Sequence, residues 1–270
     1  MKVSAFTYVR NGFNFDYPFL QSIQSVLPVV DEFIVVVGDS FDETRDSILA
    51  LNDVKIKIVD TVWDEQMRAG GYIFAQQANI GLDNVSKDAD WVFHIQADEV
   101  IHEKDYPTIT KAMKDNLADK SVDGFLFNFL NFFGDYRHYA PSRRYHQKEI
   151  RVVRNNPNIR SYRDSQGFRI FNDPANAVNE KGKKLMVKKI DATVYHYSYV
   201  KRPETQFKKH VEFGNRWEPN DDWIEEMIRI HPDGFDYSKI DYLKLFKGTH
   251  PAIMHPKLHN RTGYLIIIRQ

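Results

Sequence analysis

The chain has 270 residues, 42% hydrophobic and 14% aromatic, enough for one large core or one core with an appended subdomain. Lys and Arg number 37, as do Asp and Glu, so bulk attraction to nucleic acid or to an anionic membrane is not indicated. With no cysteine, disulfides, thiolate metal sites and cysteine nucleophiles are excluded.

The first ten residues lack the apolar run of a signal peptide, and no window approaches the ~20 apolar residues of a membrane span. The expectation is a cytoplasmic protein, free or peripheral to a membrane, without a transmembrane segment. Charge is uneven along the chain. Residues 31–105 hold 17 acids against 6 Lys and Arg, whereas residues 137–169 hold 9 Lys and Arg against 2 acids, Glu149 and Asp164. An acidic, metal-capable half beside a basic segment suits a phosphorylated substrate; two ordinary solvated faces give the same counts.

Residues 3–9 read as a first strand, broken at Asn11-Gly12. Residues 17–26 follow with helical spacing. Residues 32–37, an apolar β-branched run, fit a strand buried on both faces. The turn G-D-S-F-D-E-T leads into a helix over residues 43–51. Strands over 54–59 and 91–95 and helices over 70–82 and 107–116 continue the alternation, and residues 124–129 return as a strand. This order predicts a mostly parallel sheet with helices on both faces and binding at the C-terminal strand ends. Beyond residue 132 aromatics and arginines crowd together. Residues 150–153 and 193–197 look like strands, 204–217 and 222–230 like amphipathic helices, and 264–268 like a short closing strand. The boundary falls near residue 200, giving a core over 1–200 and a C-terminal helical extension over 201–270.

The most telling stretch is W-V-F-H-I-Q-A-D-E-V, residues 91–100. A buried strand that ends in Asp98 and Glu99 is a way to hold a divalent cation beside a phosphate; it also reads as a helix N-cap. Residues 38–44, Q-A-N-I-G-L at 77–82 and D-W-V-F-H-I-Q-A-D-E at 90–99 occur in the order found in family 2 glycosyltransferases of the GT-A fold, and the chain resembles that family over residues 1–130, more loosely over 131–200. Ser40, Asp42 and Thr44 match its first motif, Asn79 and Gly81 the second, Asp98 and Glu99 the acidic motif. Two positions depart. Val37-Gly38 stands where an aspartate pair often contacts the base, with Asp39 one residue later, and Gln96 replaces the first acid.

The resemblance implies transfer of a sugar from a UDP- or GDP-linked donor to an acceptor hydroxyl on a glycan or other molecule, inverting, with Mn²⁺ or Mg²⁺ offsetting charge on the departing diphosphate. Asp98 and Glu99 are then the metal carboxylates and His196 completes the shell; the same histidine also reads as a core residue between tyrosines. Thr7, Val9, Arg10, Asp39, Asp42, Arg68, Gln76, Asn79, Gln96 and Ala97 are candidates for the donor site, with Arg68 and Gly70-Gly71 placed to meet phosphate before a helix. Asp164 is the first candidate for catalytic base, with Arg163 beside it to lower its pKa, and Glu149 is the reserve. His94 is expected to face away from the site or to support it. The helix over 204–217, with Lys208, Lys209 and His210, is either a lid or a solvated face. Two other readings stay open: a non-catalytic carbohydrate-binding scaffold, kept alive by Gln96, and a nucleotidyltransferase, which would need a Gly-rich basic loop where the chain has only Arg10-Asn11-Gly12. The motifs leave the sugar, the acceptor and the oligomeric state open.

Overall fold

The computed structural model describes residues 1–142, 144–176, 181–217 and 222–259. The strand expected over 264–268 lies outside them. In chain order the elements are β1 (Val3–Val9), α1 (Phe19–Val26), β2 (Glu32–Val37), α2 (Thr44–Leu49), β3 (Ile56–Asp60), α3 (Tyr72–Asn84), β4 (Trp91–His94), β5 (Glu99–Ile101), α4 (Tyr106–Asp115) and β6 (Gly124–Phe133). There follow β7 (His138–Tyr139), β8 (Lys148–Arg154), β9 (Ile159–Ser161), β10 (Phe168–Ile170), β11 (Lys183–Lys184), β12 (Val187–Tyr199), α5 (Pro203–Asn215), α6 (Asp222–Ile230), β13 (Lys244–Leu245) and α7 (His255–His259).

The sheet runs β3-β2-β1-β4-β8-β6, and β12 pairs with β6. The first four strands are mutually parallel. Strand β8 opposes both β4 and β6, so β6 shares the direction of β4, and β12 runs parallel to β6. Six long strands therefore point the same way, as the alternation predicts. The short β5 runs antiparallel along β12, and β9, β10 and β11 form a separate small sheet.

Helices cover both faces. On one, Phe19, Ile23 and Val26 of α1 and Ile109 and Met113 of α4 pack with Ala5 and Val9 of β1 and Val35 of β2. On the other, Ala78 of α3 meets Phe6, Ile34 and Val36. All six residues of β2 are buried. Its first residue, Glu32, is satisfied by Ser4 Oγ at 2.6 Å and Lys57 Nζ at 2.7 Å. Gly81 lies so close to Phe6 that a Cβ there would stand 2.4 Å from the ring, which explains the glycine of the second motif by packing. Among the described residues no helix is long and apolar enough to cross a membrane.

Candidate active site

Parallel strands deliver their C-terminal ends to one edge, and loops after β1, β3 and β4 meet there. They enclose a cavity of about 180 Å³. Val9 and Arg10 reach it from β1, Trp63 follows β3, and Gln96, Ala97 and Asp98 follow β4. Strand β12 adds His196 and Ser198, the loop before β10 adds Asp164, and α5 adds Lys209, Glu212 and Phe213.

One end is aromatic. Phe74 packs edge-on to Trp63 at 5.7 Å and stacks with Phe213 at 4.7 Å, and Tyr8 lies 6.5 Å from both Trp63 and Phe74. Arg10 and Arg216 each lie over the Trp63 ring, at 5.5 and 5.7 Å. Glu65 bridges the two arginines, at 2.8 Å from Arg10 and 2.9 Å from Arg216, and Glu212 contacts both. This ion-pair net ties α5 to the strand ends.

The other end is polar. The cross-strand partner of His196 on β6 is Asn131. Asn131 donates Nδ2 to the His146 carbonyl at 2.7 Å, which fixes its amide, so its Oδ1, 2.8 Å from His196 Nδ1, accepts. A proton is thereby held on Nδ1, and Nε2 faces Asp98 Oδ1 at 3.6 Å. Asp98 Oδ2 takes Lys209 Nζ at 3.0 Å, and the same ammonium donates to Ser198 Oγ at 2.6 Å. Burial pushes the Asp98 carboxyl up, but the Lys209 ammonium and the His196 imidazole outweigh it and hold the group well below the usual carboxylate range.

These residues fit a divalent cation at two positions. Oxygen and imidazole ligands at about 2.0–2.2 Å from one ion lie roughly 3–3.5 Å apart, close to the Asp98–His196 spacing, and the imidazole has its outer hydrogen bond. Among the described residues no group of three or more His, Asp or Glu gathers, so further ligands would come from phosphate and water.

The structure gives several of the sequence candidates partners within the protein. Glu99 is fully buried, with Oε2 accepting from Arg151 Nε at 2.7 Å and Oε1 from Arg151 Nη2 at 2.5 Å. Both oxygens belong to a buried ion pair between β5 and β8, at the turn that presents Asp98. Asp42 spends its carboxylate on the backbone amides of Phe13, Asn14 and Thr44 and on the Thr44 hydroxyl, clasping the loop after β1. Gln76 is exposed on α3; its buried neighbour Gln77 accepts from Thr61 instead. Thr7 is buried inside β1, its hydroxyl without a hydrogen-bond partner among the described residues. Arg68 donates to the Asn215 carbonyl at the end of α5, at 3.1 Å. Gly70 and Gly71, both with positive φ, give their amides to the Trp217 and Arg216 carbonyls. At the expected phosphate cradle the end of α5 is seated.

Other candidates act at one remove. Asp39 accepts the Trp63 amide at 3.1 Å and pairs with Arg10 at 3.1 Å. Asn79 exchanges hydrogen bonds with the Ser161 backbone, 2.9 and 3.1 Å, anchoring the loop that carries Asp164. In that loop Arg163 and Ser165, on either side of Asp164, have φ of 55° and 64°. Left-handed backbone at two non-glycine residues is strain of the kind that clusters at functional sites. Arg163 lies over the Tyr162 ring, and Asp164 accepts from Gln166 at 2.9 Å. Glu149 is buried between His146, at 2.8 Å, and Arg151, at 3.7 Å. His94 stacks on Phe6, 4.5 Å, where burial depresses its pKa strongly; it supports the sheet beneath the site. Farther along the chain, His250 is hydrogen-bonded to Tyr197 and to the Tyr136 carbonyl within an aromatic cluster.

Sequence reasoning missed Trp63, Phe74 and Phe213, which carried no motif, and left Lys209 undecided.

No protein-family profile matches the sequence, and no curated protein matches it at a significant level. The fold is similar to that of S. aureus TarS, at 15% identity and a TM-score of 0.46, over 79% of this chain and 39% of that one. It is also similar to 4-diphosphocytidyl-2C-methyl-D-erythritol synthase from Anaerococcus prevotii, at 14% identity and a TM-score of 0.42, over 79% and 94%. A third similar structure is glucosyl-3-phosphoglycerate synthase from Mycobacterium tuberculosis, solved with Mn²⁺, UDP and glucosyl-3-phosphoglycerate, at 18% identity and a TM-score of 0.34, over 49% and 45%. The chain spans less than half the length of TarS and of the mycobacterial synthase.

Proposed function

We propose that the chain is a glycosyltransferase that moves a sugar from a UDP- or GDP-linked donor to an acceptor hydroxyl, with inversion, using Mn²⁺ or Mg²⁺. The observation that carries this reading is the meeting of Asp98 and His196 Nε2 at a cavity that also has Asp164 in its wall. When bound, the cation would be held by Asp98 and His196 and would offset charge on the departing diphosphate.

The remaining roles fall to the protein's own groups. The aromatic end of the cavity offers ring faces to a nucleobase, since base–aromatic stacking tolerates any base. Asn131 keeps His196 Nε2 turned toward Asp98. Asp164, held out by its strained loop, takes the proton of the attacking hydroxyl, an assignment supported by its place in the wall with Asp98 and by the scarcity of other acids in the basic segment. Residues 1–200 supply the strand-end loops, and residues 201–270 supply α5, which covers them.

The test is calorimetric titration with UDP and GDP in the presence and absence of Mn²⁺, followed by a hydrolysis screen of nucleotide sugars. Mn²⁺-dependent nucleotide binding and slow hydrolysis of one donor are expected. Binding of free glycan with no nucleotide affinity would favour a carbohydrate-binding scaffold and overturn the assignment.

A further inference from the structure

The solvated-face reading of α5 does not describe Lys209. It is buried to 7% exposure, its Nζ rests on Asp98 and Ser198, and the ring faces of Tyr17 and Phe213 lie 4.9 and 5.1 Å away. A second buried lysine, Lys201, whose pKa burial pushes well below the ordinary lysine range, lies over the same Tyr17 ring at 4.5 Å and donates to the Phe15 carbonyl at 2.8 Å. Two lysines thus flank one tyrosine, and the ammonium of Lys209 is bonded to the Asp98 carboxylate. Buried charge is retained where something pairs it. With Asp98 assigned to a divalent cation, the ammonium now on it needs another anion, and a diphosphate is that anion.

Space points the same way. The cavity of about 180 Å³ is smaller than the roughly 300–1,000 Å³ of sites that enclose a small ligand. Lys209, Glu212 and Phe213 of α5 form part of its wall. A lysine stem has enough rotatable bonds to carry its ammonium several ångströms without unwinding the helix.

We propose that Lys209 is a diphosphate-binding residue, held on Asp98 in the nucleotide-free protein and passed to the leaving diphosphate when donor and cation enter. The proposal rests on the nucleotide-sugar reading of the same cavity. Lys209 and a divalent cation are alternatives for one carboxylate, so removing the ammonium has opposite effects on the two ligands. A residue that merely shaped the site would move both in the same direction.

The experiment uses Lys209→Met, which keeps the apolar stem against Tyr17 and Phe213, and Lys209→Gln, which keeps a hydrogen bond to Asp98 should the first variant fold poorly. Lys209→Arg is the charge-conserving control. Each is titrated with Mn²⁺ alone and then with UDP at saturating Mn²⁺, with thermal melting as the check on folding. Both neutral variants should bind Mn²⁺ several-fold more tightly and UDP about ten- to a hundredfold more weakly, the loss expected for one charge-assisted hydrogen bond. Arginine should restore most of the UDP affinity. Unchanged UDP affinity, or weakening of Mn²⁺ in step with UDP, overturns the proposal. Failure of the parent protein to bind either Mn²⁺ or UDP would instead remove the nucleotide-sugar reading, and this proposal with it.

Discussion

Two adjacent carboxylates, Asp98 and Glu99, have opposite assignments, and Glu99→Gln separates them. Arg151 is 3% exposed and spends Nε and Nη2 on Glu99, while Nη1 donates to the Ile150 carbonyl and lies 3.7 Å from Glu149. Removing the Glu99 charge strands a buried guanidinium whose remaining anion is that more distant carboxylate. Breaking a buried pair from one side costs about 3–5 kcal/mol, and Glu149 places this case at about 3. At roughly 2–4 °C per kcal/mol for a chain somewhat smaller than this, the melting temperature should fall by about 6–12 °C. Differential scanning calorimetry at neutral pH reads that shift, and Mn²⁺-dependent UDP titration on the folded variant should stay near the parent's affinity. Asp98→Asn should abolish that binding. A Glu99→Gln protein that melts like the parent but no longer binds Mn²⁺ would refute the division of labour.

Asp164→Asn should leave UDP affinity intact and lower sugar transfer about 10²–10⁴-fold, read from initial rates at saturating donor; unchanged transfer moves the base elsewhere, with Glu149 next in line. Asn131→Leu frees the His196 tautomer and should weaken Mn²⁺ binding about 10–100-fold by titration, and equal affinity would count against the imidazole as a ligand. Burial pushes the Glu32 carboxyl up, but hydrogen bonds from Lys57, Ser4 and Ser86 overcome this and bring it down to about 2. A depressed carboxylate stabilises the fold above its ordinary pKa and loses that contribution as pH falls through the folded value. The parent should therefore shed about 3 kcal/mol between pH about 4.5 and about 2 that Glu32→Gln does not shed, as denaturant titrations at stepped pH would show. Gly81→Ala drives a methyl into the Phe6 ring and should destabilise by about 1–3 kcal/mol in the same assay.

The fold was legible wherever burial is two-sided or the turn chemistry is local. Strands β1 and β2 fall on the predicted residues because unbroken apolar runs admit little else. Strand β5 was not seen, because Glu99 makes a poor strand residue until Arg151, 52 positions away, neutralises it. Strand β12 was read only from residue 193 onward. Its first half carries exposed lysines, Lys188 and Lys189, and pairs parallel to β6 at a distance that local alternation cannot report. The small β9-β10-β11 sheet is built from arginine- and lysine-rich segments with too few alternating apolar residues to signal a strand.

The site was legible where its chemistry is spelled out by acids and histidine in strand contexts, and Asp98, His196 and Asp164 do converge on one cavity. It was opaque where a polar residue is buried by something distant in sequence. Periodicity counts Lys209 as part of a solvated stripe, since nothing within α5 reveals that Asp98, 111 residues earlier, lies above it.

The departure at Val37-Gly38 has a physical reason that only the assembled fold supplies. A Cβ at Gly38 would stand 2.6 Å from the Trp63 indole nitrogen, so glycine is what lets that ring occupy the edge of the cavity. The carboxylate one residue on, Asp39, then holds the Trp63 backbone amide and Arg10, whose guanidinium lies over the same ring. The missing aspartate, the glycine, the displaced acid and the indole are four parts of one arrangement. Under the proposed function it exchanges a carboxylate that could select a base by hydrogen bonding for an aromatic face that stacks on any base. The expected outcome is similar UDP and GDP affinity in a titration with Mn²⁺; a strong preference for either would count against the ring as the base platform.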